Sequence, residues 1–277
     1  MDELDFTAPA RGDDAPKPDI ARQCFESLGK AESLPEGGVF FKEGEAADRM
    51  YLLMDGEVSL VRGGKALDIA RSGEIFGEVA AVTQGTRSAS AIARKACQAL
   101  SLHVEQFPQA VQATPEFALQ LMGILNNRLR LTVALLGRSR SLATADAREE
   151  KPIFDKRGLE DLAAGIKARP PQSYPAGRVV MKEGDAGVYM YVVLRGKLSI
   201  SIKGAVVGQV SAGGVFGEMA LVDQSPRAAS ALADTECLLL QINRADFLNL
   251  VKSNPTFAIA LIKAIANRLR HMTAQKK

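Results

Sequence analysis

The sequence predicts a mainly β protein with flanking helices, built as two repeated β-roll (jelly-roll-like) domains that each end in a long closing helix. Three observations carry this reading. First, stretches recur at a constant offset of 140 positions. Phe76-Gly77-Glu78 and Arg87 return as Phe216-Gly217-Glu218 and Arg227, and Lys42-Glu43-Gly44-Glu45 returns as Lys182-Glu183-Gly184-Asp185. Met50-Tyr51 pairs with Met190-Tyr191, Gly56 with Gly196, and Asn127-Arg128-Leu129-Arg130 with Asn267-Arg268-Leu269-Arg270. Second, short apolar runs separated by glycine-bearing turns fill the middle of each repeat, as in all-β sandwiches and barrels. Third, the apolar period lengthens to a helical one at the end of each repeat. A unit this long exceeds the roughly 20–50 residues of a solenoid repeat, so it marks a duplicated domain.

Bulk properties agree with that frame. A chain of 277 residues is expected to hold about two domains. With 47% hydrophobic and 24% charged residues, each half can bury a core. The net charge of +3 is too small to argue for a nucleic-acid or membrane partner. No apolar run approaches the roughly 18 residues of a membrane span, and the acidic start Met1-Asp2-Glu3-Leu4-Asp5 is unlike a signal peptide. The expected location is therefore the cytoplasm. Three cysteines make no disulfide framework; Cys97 and Cys237 are repeat partners inside apolar stretches and read as small core residues. Cys24 is assigned nothing.

In chain order, residues 1–18 carry Pro9, Pro16, Pro18, Gly12 and several Asp, and read as a disordered tail. The first domain is expected over 19–137. It opens with a short helix, Ile20 to Lys30, whose Ile20, Cys24 and Leu28 share one face. From Gly38 the runs Val39-Phe40-Phe41, Met50 to Met54 and Val58 to Val61 read as strands, and Ser90 to Val104 resumes the series. Thr114-Pro115 and Asn254-Pro255 then start helices, each with a capping residue before a proline at the first helical position. Phe117, Leu121, Leu125 and Leu129 follow at helical spacing, as do Phe257, Leu261, Ile265 and Leu269. A polar linker is expected over 138–157 and a second domain over 158–277. That domain opens with a short helix, Leu159 to Lys167, and Pro170, Pro171 and Pro175 lead into its first strand.

The chemistry concentrates in the repeated cassette. Gly77 and Gly217, lacking a Cβ, let the backbone approach a ligand closely. The short apolar runs after them, which include Val79 and Met219, can form one helical turn with outward amides. Arg87 and Arg227, nine positions after Glu78 and Glu218, can return across a turn and add a permanently charged guanidinium. Each glutamate then has two candidate tasks: accepting hydrogen bonds from sugar hydroxyls, or pairing with its arginine. A phosphate beside a ribose hydroxyl makes a nucleotide, so the stretch reads as a nucleotide phosphate cradle.

A glycine-spaced β-roll, a Phe-Gly-Glu cassette with a downstream Arg-Ser-Ala or Arg-Ala-Ala, and a closing helix resemble the cyclic nucleotide-binding domain. This is the sensor module of the catabolite activator protein and of the cAMP-dependent protein kinase regulatory subunit. The resemblance covers Gly38–Leu136 and Gly177–Thr273. It implies that Gly77 and Gly217 present amides to the cyclic phosphate, that Glu78 and Glu218 accept the ribose 2′-hydroxyl, and that Arg87 and Arg227 neutralise the phosphate. Ala89 and Ala229 match a position whose amide also touches phosphate, and Gly44, Gly56, Gly184 and Gly196 match structural turn glycines. For the base, the resemblance points to the position after the arginine, Ser88 or Ala228, and to the closing helix, Thr132 or its counterparts Met272 and Thr273. Ala228 resembles cAMP-type cassettes and Ser88 is ambiguous, so the ligand is cAMP and/or cGMP, with cAMP favoured and unequal affinities expected. No metal or other cofactor is implied. The chain stops before a helix-turn-helix, so direct DNA binding is not expected, and residues 1–37 contain no kinase-inhibitor motif. Arg138-Ser139-Arg140-Ser141-Leu142 reads as a solvated linker.

Rival readings are weaker on the residues. His103 and His271 have no nucleophile or metal-ligand neighbour at motif spacing, and Gly213 to Gly217 does not form a dinucleotide loop, so an enzyme is not expected. A ligand-free interaction scaffold remains the alternative, with the closing helices pairing in a homodimer or in an intramolecular pseudo-dimer. The expected role is that of a receptor that signals to an unidentified protein partner.

Overall fold

The computed structural model describes residues 20–138, 148–165 and 170–274. The expected disordered tail, and 139–147 of the expected linker, lie outside them. Helix α1 (Ile20–Leu28) is closed by the Gly29 amide donating to Phe25 O at 2.8 Å. There follow β1 (Lys30–Leu34), β2 (Val39–Phe41), β3 (Arg49–Asp55), β4 (Glu57–Arg62), β5 (Lys65–Arg71), β6 (Ile75–Phe76), α2 (Glu78–Thr83), β7 (Ser90–Ala93), β8 (Cys97–His103), α3 (Phe107–Ala113) and α4 (Pro115–Arg138). Two antiparallel sheets result, ordered β1-β8-β3-β6 and β2-β7-β4-β5. Tyr51, Leu53, Val58, Phe76, Ala91 and Cys97 form the core between them.

The second repeat begins with β9 (Arg148–Glu149) and α5 (Lys156–Gly165). It continues with β10 (Gln172–Tyr174), β11 (Val179–Met181), β12 (Tyr189–Arg195), β13 (Lys197–Ile202), β14 (Ala205–Ser211), β15 (Val215–Phe216), α6 (Met219–Asp223), β16 (Ser230–Ala233), β17 (Cys237–Asn243), α7 (Arg244–Ser253) and α8 (Pro255–Ala274). Its sheets are ordered β10-β17-β12-β15 and β11-β16-β13-β14-β9. Among the described residues, the second repeat departs from the first repeat's sheet order at β9, which pairs parallel with β14, Arg148 opposite Gly208 and Glu149 opposite Gln209. The expected fold class is the observed one: repeated β-roll sheets, each repeat closed by a helix.

Compact units do not follow the repeat boundary. The first unit comprises the chain up to Leu121 together with Ile265–Arg270, and the second comprises Met122–Ala264 and the residues from His271 on. In the first, Phe117 at the start of α4 meets Phe25 edge-on at 5.9 Å and Phe107 at 6.3 Å. In the second, Phe257 at the start of α8 meets Phe247 at 6.5 Å and stacks on Phe154 at 5.9 Å. The Asn254 side chain accepts from the Phe257 amide at 3.0 Å, as a helix-capping residue should. Cys97 and Cys237 are buried in β8 and β17.

Some elements were not expected. β1 and β10 carry Lys-Ala-Glu-Ser-Leu and Gln-Ser-Tyr, edge strands with no apolar run to announce them. Thus the first opening helix ends at Leu28, two residues short of expectation, and the second domain's first strand lies before Pro175 instead of after it. The second repeat's opening helix also starts earlier, at Lys156, and is described as far as Gly165. Helices α3 and α7 are short and packed on one buried face, which a window of mixed polarity conceals. Among the described residues, no helix is long and apolar enough to cross a membrane.

Because Phe117 and Phe257 are fully buried against aromatic neighbours, Phe117→Ala or Phe257→Ala should cost about 3–5 kcal/mol in urea denaturation. Val188→Ser, at a side chain 61% exposed, should stay within about 0.5 kcal/mol of the parent.

Candidate functional site

Each cassette begins where a two-residue strand, β6 or β15, runs into glycine. Gly77 and Gly217 take φ of +73° and +79°, in the left-handed region that L side chains rarely enter. A Cβ added at either would stand 2.7 Å from Nη1 of Arg87 or Arg227. The glycine is therefore required twice over, by its backbone angle and by the room that the guanidinium takes. Helices α2 and α6 follow at once, and in α6 the Leu221 and Val222 amides donate to Glu218 O at 3.0 and 3.2 Å. Gln84 and Gln224, with φ of +50° and +55°, turn the chain back towards the arginine.

Both arginines are buried, Arg87 to 3% and Arg227 to 6% exposure. Nη1 of each donates to the carbonyl of its own cassette glycine, at 2.7 Å to Gly77 O and 2.8 Å to Gly217 O. Nη2 donates to the first residue of the central strand, at 2.7 Å to Arg49 O and 2.6 Å to Tyr189 O. These carbonyls carry no net charge, and Nε of Arg87 has no hydrogen-bond partner. The guanidinium plane of Arg87 lies 4.0 Å from the Phe41 ring centroid, whereas Arg227 lies 5.8 Å from that of Tyr191. Burial pushes both guanidinium pKa values below the usual arginine range, against the attraction of Tyr51 or Tyr191 and of Glu78 or Glu218.

Backbone pairing fixes the arginines from the other side. The Arg87 amide donates to Glu45 O at 2.8 Å and its carbonyl accepts from Gly44 N at 2.9 Å. Arg227 repeats this with Asp185 O and Gly184 N, both at 2.9 Å. The repeated Lys-Glu-Gly-Glu/Asp turn thus serves as the ledge on which the arginine segment is hung. Its glutamates brace it: Glu43 and Glu183 accept from the amides of Gly63 and Lys203, at 2.9 and 2.7 Å. Their own amides donate to Ser90 and Ser230 Oγ at 2.9 Å.

The other sequence-predicted residues fall as follows. Glu78 and Glu218 are each 1% exposed at the start of α2 and α6, followed by half-buried Val79 and Met219. Ala89 and Ala229 are buried two residues after the arginines, and between them Ser88 is exposed and Ala228 half-buried. Thr132 is half-buried on α4, where its hydroxyl donates to Arg128 O at 2.8 Å. It belongs to the second unit, whereas Arg87 belongs to the first, so its grouping with the first cassette follows chain order and not the compact unit. Met272 is buried and Thr273 half-buried, both in the second unit with Arg227.

A family model described as the cyclic nucleotide-binding domain matches residues 31–114 and 171–254. The chain belongs to the cyclic nucleotide-binding domain family. Both cassettes lie inside the matched spans and both closing helices lie outside them. A cyclic nucleotide-gated potassium channel of Rhizobium etli is 34% identical over 117 residues, 42% of this chain and 33% of the channel. A cAMP-dependent protein kinase regulatory subunit of Yarrowia lipolytica is 24% identical over 235 residues, 84% of this chain and 56% of that protein. The chain therefore spans between a third and just over half the length of these two relatives. Among solved structures, the regulatory domain of Toxoplasma gondii PKA with cAMP is 21% identical, covering 86% of this chain and 91% of that one at a TM-score of 0.32.

Reading the sequence of this cyclic nucleotide-binding pair missed the residues that seat the arginine: Phe41, and the carbonyls of Arg49 and Tyr189. Met50-Tyr51 and Met190-Tyr191 recur in register directly after those carbonyls, which was a signal for them. Gly217→Ala should force Arg227 aside and lower stability by about 1–3 kcal/mol in urea denaturation. The Arg227 Nε–Hε resonance should move at the same time.

Proposed function

We propose that the chain is a non-catalytic cyclic nucleotide receptor with two binding sites, for cAMP in preference to cGMP, that passes occupancy to a protein partner. One observation supports this most: in each repeat a guanidinium is buried beside a left-handed glycine and bonded to neutral carbonyls alone. A buried cation without a hydrogen-bonded countercharge is costly, and an incoming phosphate supplies that charge in a setting where it counts most. Family membership names the phosphate: that of a cyclic nucleotide.

On this reading, the phosphate docks against Arg87 or Arg227 and the amides that follow Gly77 or Gly217. Glu78 and Glu218, buried within the same short segment, accept the ribose 2′-hydroxyl. A carboxylate beside a cation-held phosphate favours a ligand that brings its own hydroxyl donor. Ala228 offers the base no side-chain hydrogen bond, in keeping with adenine, and Ser88 offers a hydroxyl, so the two sites differ in affinity. The names of relatives fit this range, since a cAMP-dependent kinase regulatory subunit and a cGMP-dependent protein kinase of Eimeria tenella both align to the chain. Occupancy shifts the closing helices only as far as the nucleotide's differential affinity for their two arrangements allows.

Calorimetric titration of nucleotide-stripped protein with cAMP and cGMP tests this, beside Arg87→Ala and Arg227→Ala. The expected result is roughly micromolar or tighter binding of cAMP at about two sites, falling to about one in each variant. No heat with either nucleotide, together with an unchanged melting temperature, would sink the receptor reading and leave the ligand-free scaffold.

A further inference from the structure

The cassette of the second unit is gripped by side chains that the family pattern does not include. Arg130, on α4, makes a two-point ion pair with Asp223, Nε to Oδ2 at 2.6 Å and Nη2 to Oδ1 at 3.1 Å. Its third nitrogen, Nη1, donates to Pro226 O at 3.0 Å. That carbonyl belongs to the peptide group whose nitrogen is the Arg227 amide. On the other side of the same peptide, the Arg227 amide donates to Asp185 O at 2.9 Å. The peptide that carries the phosphate-site arginine is thus clamped at both its polar atoms. One helical turn before Arg130, the fully buried Asn126 directs Nδ2 to Met219 O at 3.5 Å, beside Glu218. All of these residues lie in the second unit.

The first unit shows what the clamp adds. Arg270 stands at the repeat position of Arg130, and its nitrogens reach the hydroxyls of Thr83 and Thr86, both at 3.3 Å. Thr83 and Thr86 occupy the repeat positions of Asp223 and Pro226. The partners are therefore neutral and the contacts longer, and Arg270 reaches the Thr86 hydroxyl where Arg130 reaches the Pro226 carbonyl. At the repeat position of Asn126 stands Ala266. Charge-assisted two-point pairs are shorter and stronger than neutral hydrogen bonds, so only the second cassette is fixed this way.

We propose that Arg130, with Asn126 behind it, is a positioning residue for the second nucleotide site: through Asp223 and Pro226 it sets the peptide and hence the guanidinium of Arg227. The inference rests on the receptor reading for its ligand but not for its geometry. A nucleotide at the second site then depends on a segment, 122–138, that precedes the second sequence repeat altogether. The first site lacks an equivalent ion-paired brace.

The test uses the full chain and two readouts. In nucleotide-free protein, the backbone amide and Nε–Hε resonances of Arg227 are assigned with the help of Arg227→Ala. They should shift in Arg130→Ala and Asp223→Asn and stay in place in Arg270→Ala. In calorimetry with cAMP on an Arg87→Ala background, where the second site alone titrates, Arg130→Ala should weaken binding about tenfold, within the usual range of coupling between sites. Arg130→Lys, which keeps a cation facing Asp223, should recover part of that loss and guards against a folding defect. On an Arg227→Ala background, Arg130→Ala should leave the first site's affinity within about twofold. Unmoved Arg227 resonances, or an equal loss at both sites, would overturn the proposal. Absence of cAMP binding by the Arg87→Ala parent would count against the receptor reading alone, because the resonances report Arg227 without any ligand.

Discussion

Everything in each repeat turns on housing a guanidinium out of water without giving it a carboxylate. Two main-chain carbonyls, from the cassette glycine and from the start of β3 or β12, take its Nη groups. Each of those acceptors has requirements of its own. The glycine must be left-handed and bare of a Cβ, and the central strand must begin level with the cassette, which its pairing with β6 or β15 ensures. The arginine's own amide and carbonyl are tied to the Gly44 or Gly184 turn, so side chain and main chain are fixed independently. Each guanidinium is thus held at two nitrogens by neutral main-chain acceptors.

The repeats share this frame and differ in what surrounds it. Arg87 lies on the face of Phe41, where the second repeat has Met181. Arg49, whose carbonyl holds Arg87, also carries a side chain paired with Glu32 and Asp48, and Asp48 draws a depressed pKa from that bond. Tyr189, whose side chain is uncharged at neutral pH, fills the same position in the second repeat. The first cassette thus has aromatic stacking and a surface charge cluster beside its arginine, and the second has an ion pair from a helix-borne arginine. Both repeats keep the cassette arginine, and its supports differ.

Much of this was legible in the sequence because duplication printed it twice. Register at 140 positions exposed the Phe-Gly-Glu cassette, the arginine and the turn glycines, and the change of period separated rolls from closing helices. What stayed hidden did so for separate physical reasons. β1 and β10 have no apolar alternation because they are short edges with one exposed side, and their stability comes from ladders with β8 and β17. Arg130 and Asp223 were hidden because only one of the two repeats makes the ion pair. Thr132 is grouped with the first cassette by chain order and lies in the second compact unit. Spacing within a motif reads well from sequence; which long helix lies against which cassette does not.

The parallel strand β9 has a consequence for how the protein behaves in a crowded solution. In the first repeat the outer strand β5 reads Lys-Ala-Leu-Asp-Ile-Ala-Arg, and its charges discourage another chain from pairing along it. The corresponding β14 reads Ala-Val-Val-Gly-Gln-Val-Ser, with no charge at all. Left bare, such a strand invites intermolecular pairing. Instead β9 lies along its middle, the Glu150 amide continues the ladder to Gln209 O at 2.9 Å, and Ile153 and Phe154 donate to Gly213 O. A stretch that reads as mere connection between domains thus covers the uncharged edge of the second roll.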